Sequence, residues 1–164
     1  MRRKKTLYLC QGAIIAAMYV ILTYISALMG LSSGVIQVRI SEALCIMPIF
    51  LPAAIPGLTI GCLIANLLTG SIALDVIFGT LATFIGALGT YALRKRKYIY
   101  LLPPILSNMI IVPLVLKFAY KLPDAYLFIV ATVGVGEVIS IGIFGYILKL
   151  ALEKNKAAFK WDWR

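Results

Sequence analysis

The segment VIQVRISEALCIMP, residues 35–48, places Arg39, Ser41 and Glu42 within four positions of an otherwise apolar stretch. A charged side chain at the centre of a membrane helix costs about 2.5–3.5 kcal/mol on insertion scales, so such residues usually mark a ligand or ion path. Asn66, Asp75, Asn108 and Glu137 are also set in apolar runs. A carboxylate accepts two parallel N–H bonds from an amidine-like edge, and a second carboxylate can hold an ammonium. Three acids (Glu42, Asp75, Glu137) against one arginine suit a cationic or donor-rich small molecule. Each residue also has a plainer reading. Arg39 and Glu42 are three apart at a helix start and able to pair. Glu42 and Asp75 are placed to stabilise helix N-termini, and Asn66 and Asn108 to join helices. Glu137 resists such a reading, since it lies about twelve residues from either end of its apolar run, with Gly134 and Gly136 clearing space beside it.

The elements that must position these groups follow from composition. The chain has 164 residues, 62% of them hydrophobic. A soluble domain is about 45–50% apolar, so lipid is the expected solvent. The net charge of +10 comes in blocks at residues 2–5, 94–97 and 149–164. Blocks that flank apolar runs mark cytoplasmic membrane ends rather than a nucleic-acid surface. Residues 7–31 carry no charge over 25 positions, enough to cross about 30 Å of hydrocarbon. That length also separates them from the h-region of a signal peptide. Further runs at 72–93, 98–119 and 125–149 read as spans. Residues 40–70 are broken by Pro48, Pro52, Pro56 and Gly57, which predicts a tight turn between two short helices, 40–52 and 56–70. The expected architecture is one all-α membrane domain of six transmembrane helices with both termini cytoplasmic. All three basic blocks then lie inside, as the positive-inside rule asks. A re-entrant hairpin over 40–70 would keep the same parity. The tail from 150 to 164, basic and aromatic, reads as an interfacial anchor.

Topology also sorts the polar residues. Arg39, Ser41, Glu42, Asn66 and Asp75 fall toward the external side, and Asn108 and Glu137 at mid-depth, which describes a pocket open to the outside. Small residues recur at spacing four: Gly57, Gly61 and Ala65 on one face, Ala82 and Gly86 on another, Ala13 and Ala17 on a third. Such spacing lets helix backbones approach closely. Cys10, Cys45 and Cys62 fall in apolar runs without metal spacing and read as buried small hydrophobes. There is no histidine, and no phosphate-binding, zinc-protease or serine-hydrolase motif. The expectation is therefore no catalytic residue, no metal and no cofactor.

Four blocks, QVRISEALCIMPIFLPAAIPGLTIGCLIANLLTG, LDVIFGTLATFIGALGTY, PPILSN and GVGEVIS, occur in this order. Together they resemble the queuosine-precursor (QueT) family of substrate-binding S components of energy-coupling factor (ECF) transporters. The resemblance runs from about residue 8 to 150. It implies a six-helix bundle in a prokaryotic plasma membrane that binds a vitamin-like solute tightly on the external face. It also implies a transmembrane coupling subunit and two ATPase subunits as partners, which accounts for the missing nucleotide motif. The whole bundle would topple to deliver its ligand. The family's A-x-x-x-A docking motif is matched by Ala13 and Ala17, with Gly12 and Ala16 beside them. The implied ligands are 7-deazaguanines such as pre-queuosine-1, a guanine-like base with an aminomethyl cation. Glu42 would then meet either the guanine edge or the ammonium, with its share against Glu137 left open. Arg39 would fix the first external loop or orient that acid, and Tyr24 and Phe78 would either stack on the base or, like most aromatics in membrane spans, pack in the core. The rival expectation is a stand-alone or proton-coupled carrier with Glu137 and Asp75 as relay groups.

Overall fold

The computed structural model describes residues 2–32, 36–121 and 123–155. The tail residues Lys156, Lys160 and Arg164, with the aromatic anchor expected there, lie outside the described residues. Every regular element among those described is helical. Helix α1 is Arg2–Leu28, followed by a 3-10 helix at Ile40–Ile49. Helix α2 is Ala54–Leu68 and α3 is Ala73–Ala92. A single 3-10 turn, Ile99–Leu101, leads into α4, Leu102–Phe118. Helix α5 runs from Tyr126 to Lys154. Four stretches are long and apolar enough to cross a membrane: Lys4–Leu28, Ala73–Ala92, Ile99–Phe118 and Tyr126–Lys154.

The two remaining helices are short for a reason. Pro48 sits inside the 3-10 helix and Pro52 in the turn after it. Proline removes a backbone donor and clashes with a regular α-helical turn. The tighter winding advances about 2.0 Å per residue, so ten residues still reach roughly 20 Å. Ser41 through Pro48 are all buried, and a helix that is apolar on nearly every side belongs at the centre of a bundle. The 3-10 helix accordingly packs against α1, α3 and the later part of α5.

Around it α1 packs on α2, α2 on α3, α3 on α4, and α4 on α5. Small residues set the spacing. A Cβ on Gly57 would lie 2.7 Å from the carbonyl oxygen of Gly12, and one on Gly61 would lie 2.8 Å from Tyr19 Cβ. Gly86 backs onto Pro104 in the same way, at 2.7 Å. The four-residue spacing therefore serves packing within the chain at these sites.

The bundle has two unlike ends. At one, Tyr8 donates to the carbonyl of Pro52 across 3.3 Å, and Arg94–Lys97 follow the last turn of α3. At the other, α1 and α2 close with the same device. Gly30 and Gly70 adopt φ of 71° and 73°, and the next residues, Leu31 and Ser71, donate back to Ser26 and Asn66. This left-handed terminator satisfies the last carbonyls and suits glycine.

Candidate functional site

A polar cavity opens at this second end, away from Arg94–Lys97. It is built from side chains four apart on five helices. Thr23 and Ala27 come from α1, Asn66 from α2 and Asp75 from the first turn of α3; Val112, Leu116 and Tyr120 come from α4 and the turn after it. These line an outer chamber of about 390 Å³. One turn deeper the same faces continue: Cys62 on α2, Gly79 and Thr83 on α3, Asn108 on α4, Val133 and Glu137 on α5. With Glu42 they line an inner chamber of about 20 Å³. Gln37, Arg39, Asp75 and Val112 line both chambers.

The segment entering the 3-10 helix is pinned on two sides. The backbone N–H of Arg39 donates to Ser140 Oγ at 3.2 Å and that of Ile40 to Ser26 Oγ at 2.9 Å. Donors at a helix start have no partner within the helix, so the two serines satisfy them. Gly136 lets α5 approach this segment, since a Cβ there would lie 2.1 Å from the carbonyl oxygen of Gln37. Directly after Glu137 the helix widens into a π-helical stretch, Val138–Gly145, a winding often found at functional sites.

The acids differ in their surroundings. Glu42 is 2% exposed, and both its oxygens accept: Oε1 from the Tyr19 hydroxyl and Oε2 from Cys45 Sγ at 3.0 Å. Asp75 accepts from the Tyr120 hydroxyl at 3.3 Å. Glu137 is 9% exposed, and its buried Oε2 has no hydrogen-bond partner. Among the described residues the one ion pair is Lys149–Glu153. The pairing of Arg39 with Glu42 suggested by their spacing is thus not formed.

The predicted residues divide accordingly. Arg39, Glu42, Asn66, Asp75, Asn108 and Glu137 all line the cavity. Ser41 lines neither chamber; it is fully buried and accepts from Thr23 Oγ1 at 2.8 Å. Tyr24 and Phe78, expected either to stack on a ligand or to pack in the core, do neither: they are 51% and 41% exposed and line neither chamber. Phe78 instead faces an apolar groove between α3 and α4. The aromatic ring on the cavity wall is that of Tyr120, which sequence reasoning left in a connecting loop. Its spacing of four from Leu116, Val112 and Asn108 was the available signal. Gln37, Thr83 and Thr69 were also passed over. Cys45 and Cys62 are buried in the hydrophobic core, as expected, and their thiols also make polar contacts: Cys45 Sγ donates to Glu42, and Cys62 Sγ accepts from Thr83 at 3.3 Å and Asn66 at 3.5 Å. The expectation fails for the third cysteine. Cys10 is exposed. Among the described residues no His, Cys, Asp or Glu cluster is arranged to hold a metal ion.

A second surface feature lies across α1 and α2, where Tyr8, Ala13, Ala17, Ile21, Pro56 and Ile60 line an apolar groove of about 710 Å³. Ala13 and Ala17 are exposed in it, whereas Ala16 is buried and Gly12 is half-buried against α2.

Membrane-length helices gathered around a polar cavity define a multi-pass membrane protein with a pocket of small-molecule size. Residues 9–154 match the family model described as QueT transporter. The chain is also 34% identical over 161 residues to the queuosine precursor transporter QueT of Lactococcus lactis subsp. cremoris (strain MG1363), covering 90% of this chain and 94% of that protein. No solved structure matches. The chain belongs to the QueT transporter family.

Proposed function

We propose that this chain is the substrate-binding subunit of an energy-coupling factor transporter, taking up a queuosine precursor across a prokaryotic plasma membrane. The observation that carries the reading is the buried, unpartnered Oε2 of Glu137 in a cavity with three carboxylates and one guanidinium. Such a lining favours a small molecule rich in donors or positive charge, and a 7-deazaguanine bearing an aminomethyl group is both. The outer chamber, about 390 Å³, falls within the roughly 300–1,000 Å³ usual for small-molecule pockets.

In this reading the bundle crosses the membrane six times. The 3-10 helix and α2 serve as two short spans, and both termini lie in the cytoplasm. The basic end then faces inward and the cavity opens outward. The chain binds ligand tightly by itself. A membrane coupling subunit docks on the groove beside Ala13 and Ala17, and two ATPase subunits supply the energy. Five residues share three duties here. Arg39 orders the entry segment, Asp75 and Asn66 face the ring, and Glu42 and Glu137 make the floor negative.

Calorimetry on the detergent-solubilised chain alone tests the binding half, with pre-queuosine-1 as titrant. Saturable binding in a monodisperse sample is the expected result. A folded protein that releases no heat and is not stabilised by the compound would remove the proposed substrate. Co-purification with the coupling complex tests the other half. Uptake that proceeds in proteoliposomes without ATPase subunits would favour a stand-alone carrier instead.

A further inference from the structure

Glu42 and Glu137 line one small chamber but are not equivalent acceptors. Tyr19 and Cys45 occupy both oxygens of Glu42. Oε2 of Glu137 is buried without a partner on a side chain only 9% exposed. Leaving such an acceptor unmet is costly, and the cost rises for a charged group. It is the one place on the floor where a ligand donor would remove a penalty already present.

Size limits which donor that is. The inner chamber holds about 20 Å³. A water-sized group needs roughly 10–15 Å³ by this measure, so one ammonium fits and the edge of a fused ring does not. The outer chamber, about 390 Å³, has room for a bicyclic ring. Charge agrees with size. Glu42, Asp75 and Glu137 surround the inner chamber against Arg39 alone. A neutral group with acceptors only would set acceptor against acceptor.

Resting on the reading of this chain as a carrier of queuosine precursors, the geometry points to a pocket in two parts. The 7-deazaguanine ring lies in the outer chamber. Its exocyclic aminomethyl ammonium enters the inner chamber and donates to Oε2 of Glu137. Asp75, which lines both chambers, faces the donor edge of the ring. Glu42 is a positioning residue whose oxygens stay with Tyr19 and Cys45. Glu137 is thereby the specificity-determining residue, reading the substituent rather than the base.

The test is calorimetry on the full chain with two congeners, the aminomethyl compound and the nitrile of the same ring. The wild type should prefer the aminomethyl compound by at least about 30-fold, the scale of removing one partner from a buried charged pair. Glu137→Gln should abolish that preference by weakening the aminomethyl compound, while the nitrile binds at least as well because the amide N–H no longer opposes its acceptor, so that nitrile binding reports an intact fold. Asp75→Asn should weaken both congeners alike. Equal affinities in the wild type overturn the two-part pocket while leaving the transporter reading in place, and they need no variant. Loss of both congeners in Glu137→Gln also overturns it, because Glu137 would then serve the ring or the fold. If neither congener binds the wild type, the substrate reading fails and takes this inference with it.

Discussion

The hydroxyl of Tyr19 donates to Oε1 of Glu42, tying α1 to the buried 3-10 helix beneath the cavity. The bond joins two residues that are 1% and 2% exposed. Its removal leaves a buried carboxylate oxygen without that donor. Tyr19→Phe should therefore cost about 1–3 kcal/mol of stability, read as a lower melting temperature in detergent. The preference between aminomethyl and nitrile congeners should survive, since Glu137 is untouched. A variant that melts like the wild type would show that the bond carries no net stability.

Gly136 offers a sharper test of the entry segment. A Cβ there would lie 2.1 Å from the carbonyl oxygen of Gln37, whereas at Gly142 the nearest atom would be Val138 Cγ1 at 3.6 Å. Gly136→Ala must push the segment bearing Gln37 and Arg39 away from α5. Overpacking of this kind costs about 1–3 kcal/mol, and ligand affinity should fall about 5- to 150-fold. Gly142→Ala should bind normally and melt no lower, since alanine favours a helix by up to about 1 kcal/mol. Equal affinity in the two variants would mean that the segment does not shape the cavity.

Much of this arrangement was legible because a helix repeats every 3.6 residues. Asn66, Asp75, Asn108 and Glu137 are polar residues set in apolar runs, and one cavity collects all four. Their gathering at one level followed from alternating the direction of successive helices. The partners of those residues were harder to read. Tyr19 lies in a run containing Tyr8 and Tyr24, and nothing local says which tyrosine turns inward. That choice belongs to the packing of α1 against α2. Gly61 settles it by admitting Tyr19, while Tyr24 stays exposed. Cys45 and Cys62 were legible as buried core residues, but nothing in their apolar sequence neighbourhood named their polar partners Glu42, Thr83 and Asn66. The 3-10 winding of Ile40–Ile49 was half visible. Pro48 and Pro52 forecast a short, broken helix, but the tighter winding depends on burial from every side.

On the groove of α1 and α2, the proposed docking of a coupling subunit can be tested apart from folding. Ala13 and Ala17 are exposed, whereas Ala16 is buried within reach of Gly61, where a Cβ would lie 3.0 Å from the Ala16 carbonyl oxygen. Ala13→Leu and Ala17→Leu should leave melting temperature and ligand affinity near wild type while reducing co-purification of the coupling complex. Ala16→Leu should instead destabilise the α1–α2 pair by about 1–3 kcal/mol through overpacking. If the complex co-purifies fully with both Ala13→Leu and Ala17→Leu, its docking surface lies elsewhere.

Tyr120 sits on the outer chamber, its hydroxyl 3.3 Å from Asp75 Oδ2 and 3.4 Å from the Ile72 backbone nitrogen. In the proposed pocket its ring would offer a face to the planar base, and its hydroxyl fixes Asp75, the carboxylate proposed to face the same base. Those two duties separate by substitution. Tyr120→Phe keeps the ring and frees Asp75, so affinity should fall modestly and equally for the aminomethyl and nitrile congeners. Tyr120→Ala removes both, and lost stacking alone is worth about 1–3 kcal/mol, or roughly 5- to 150-fold in affinity. Tyr24→Ala and Phe78→Ala serve as matched controls, because both rings lie outside the chambers. Calorimetry on the four variants decides the matter. Wild-type affinity in Tyr120→Ala would place the base away from α4, against the wall formed by α1 and the entry segment.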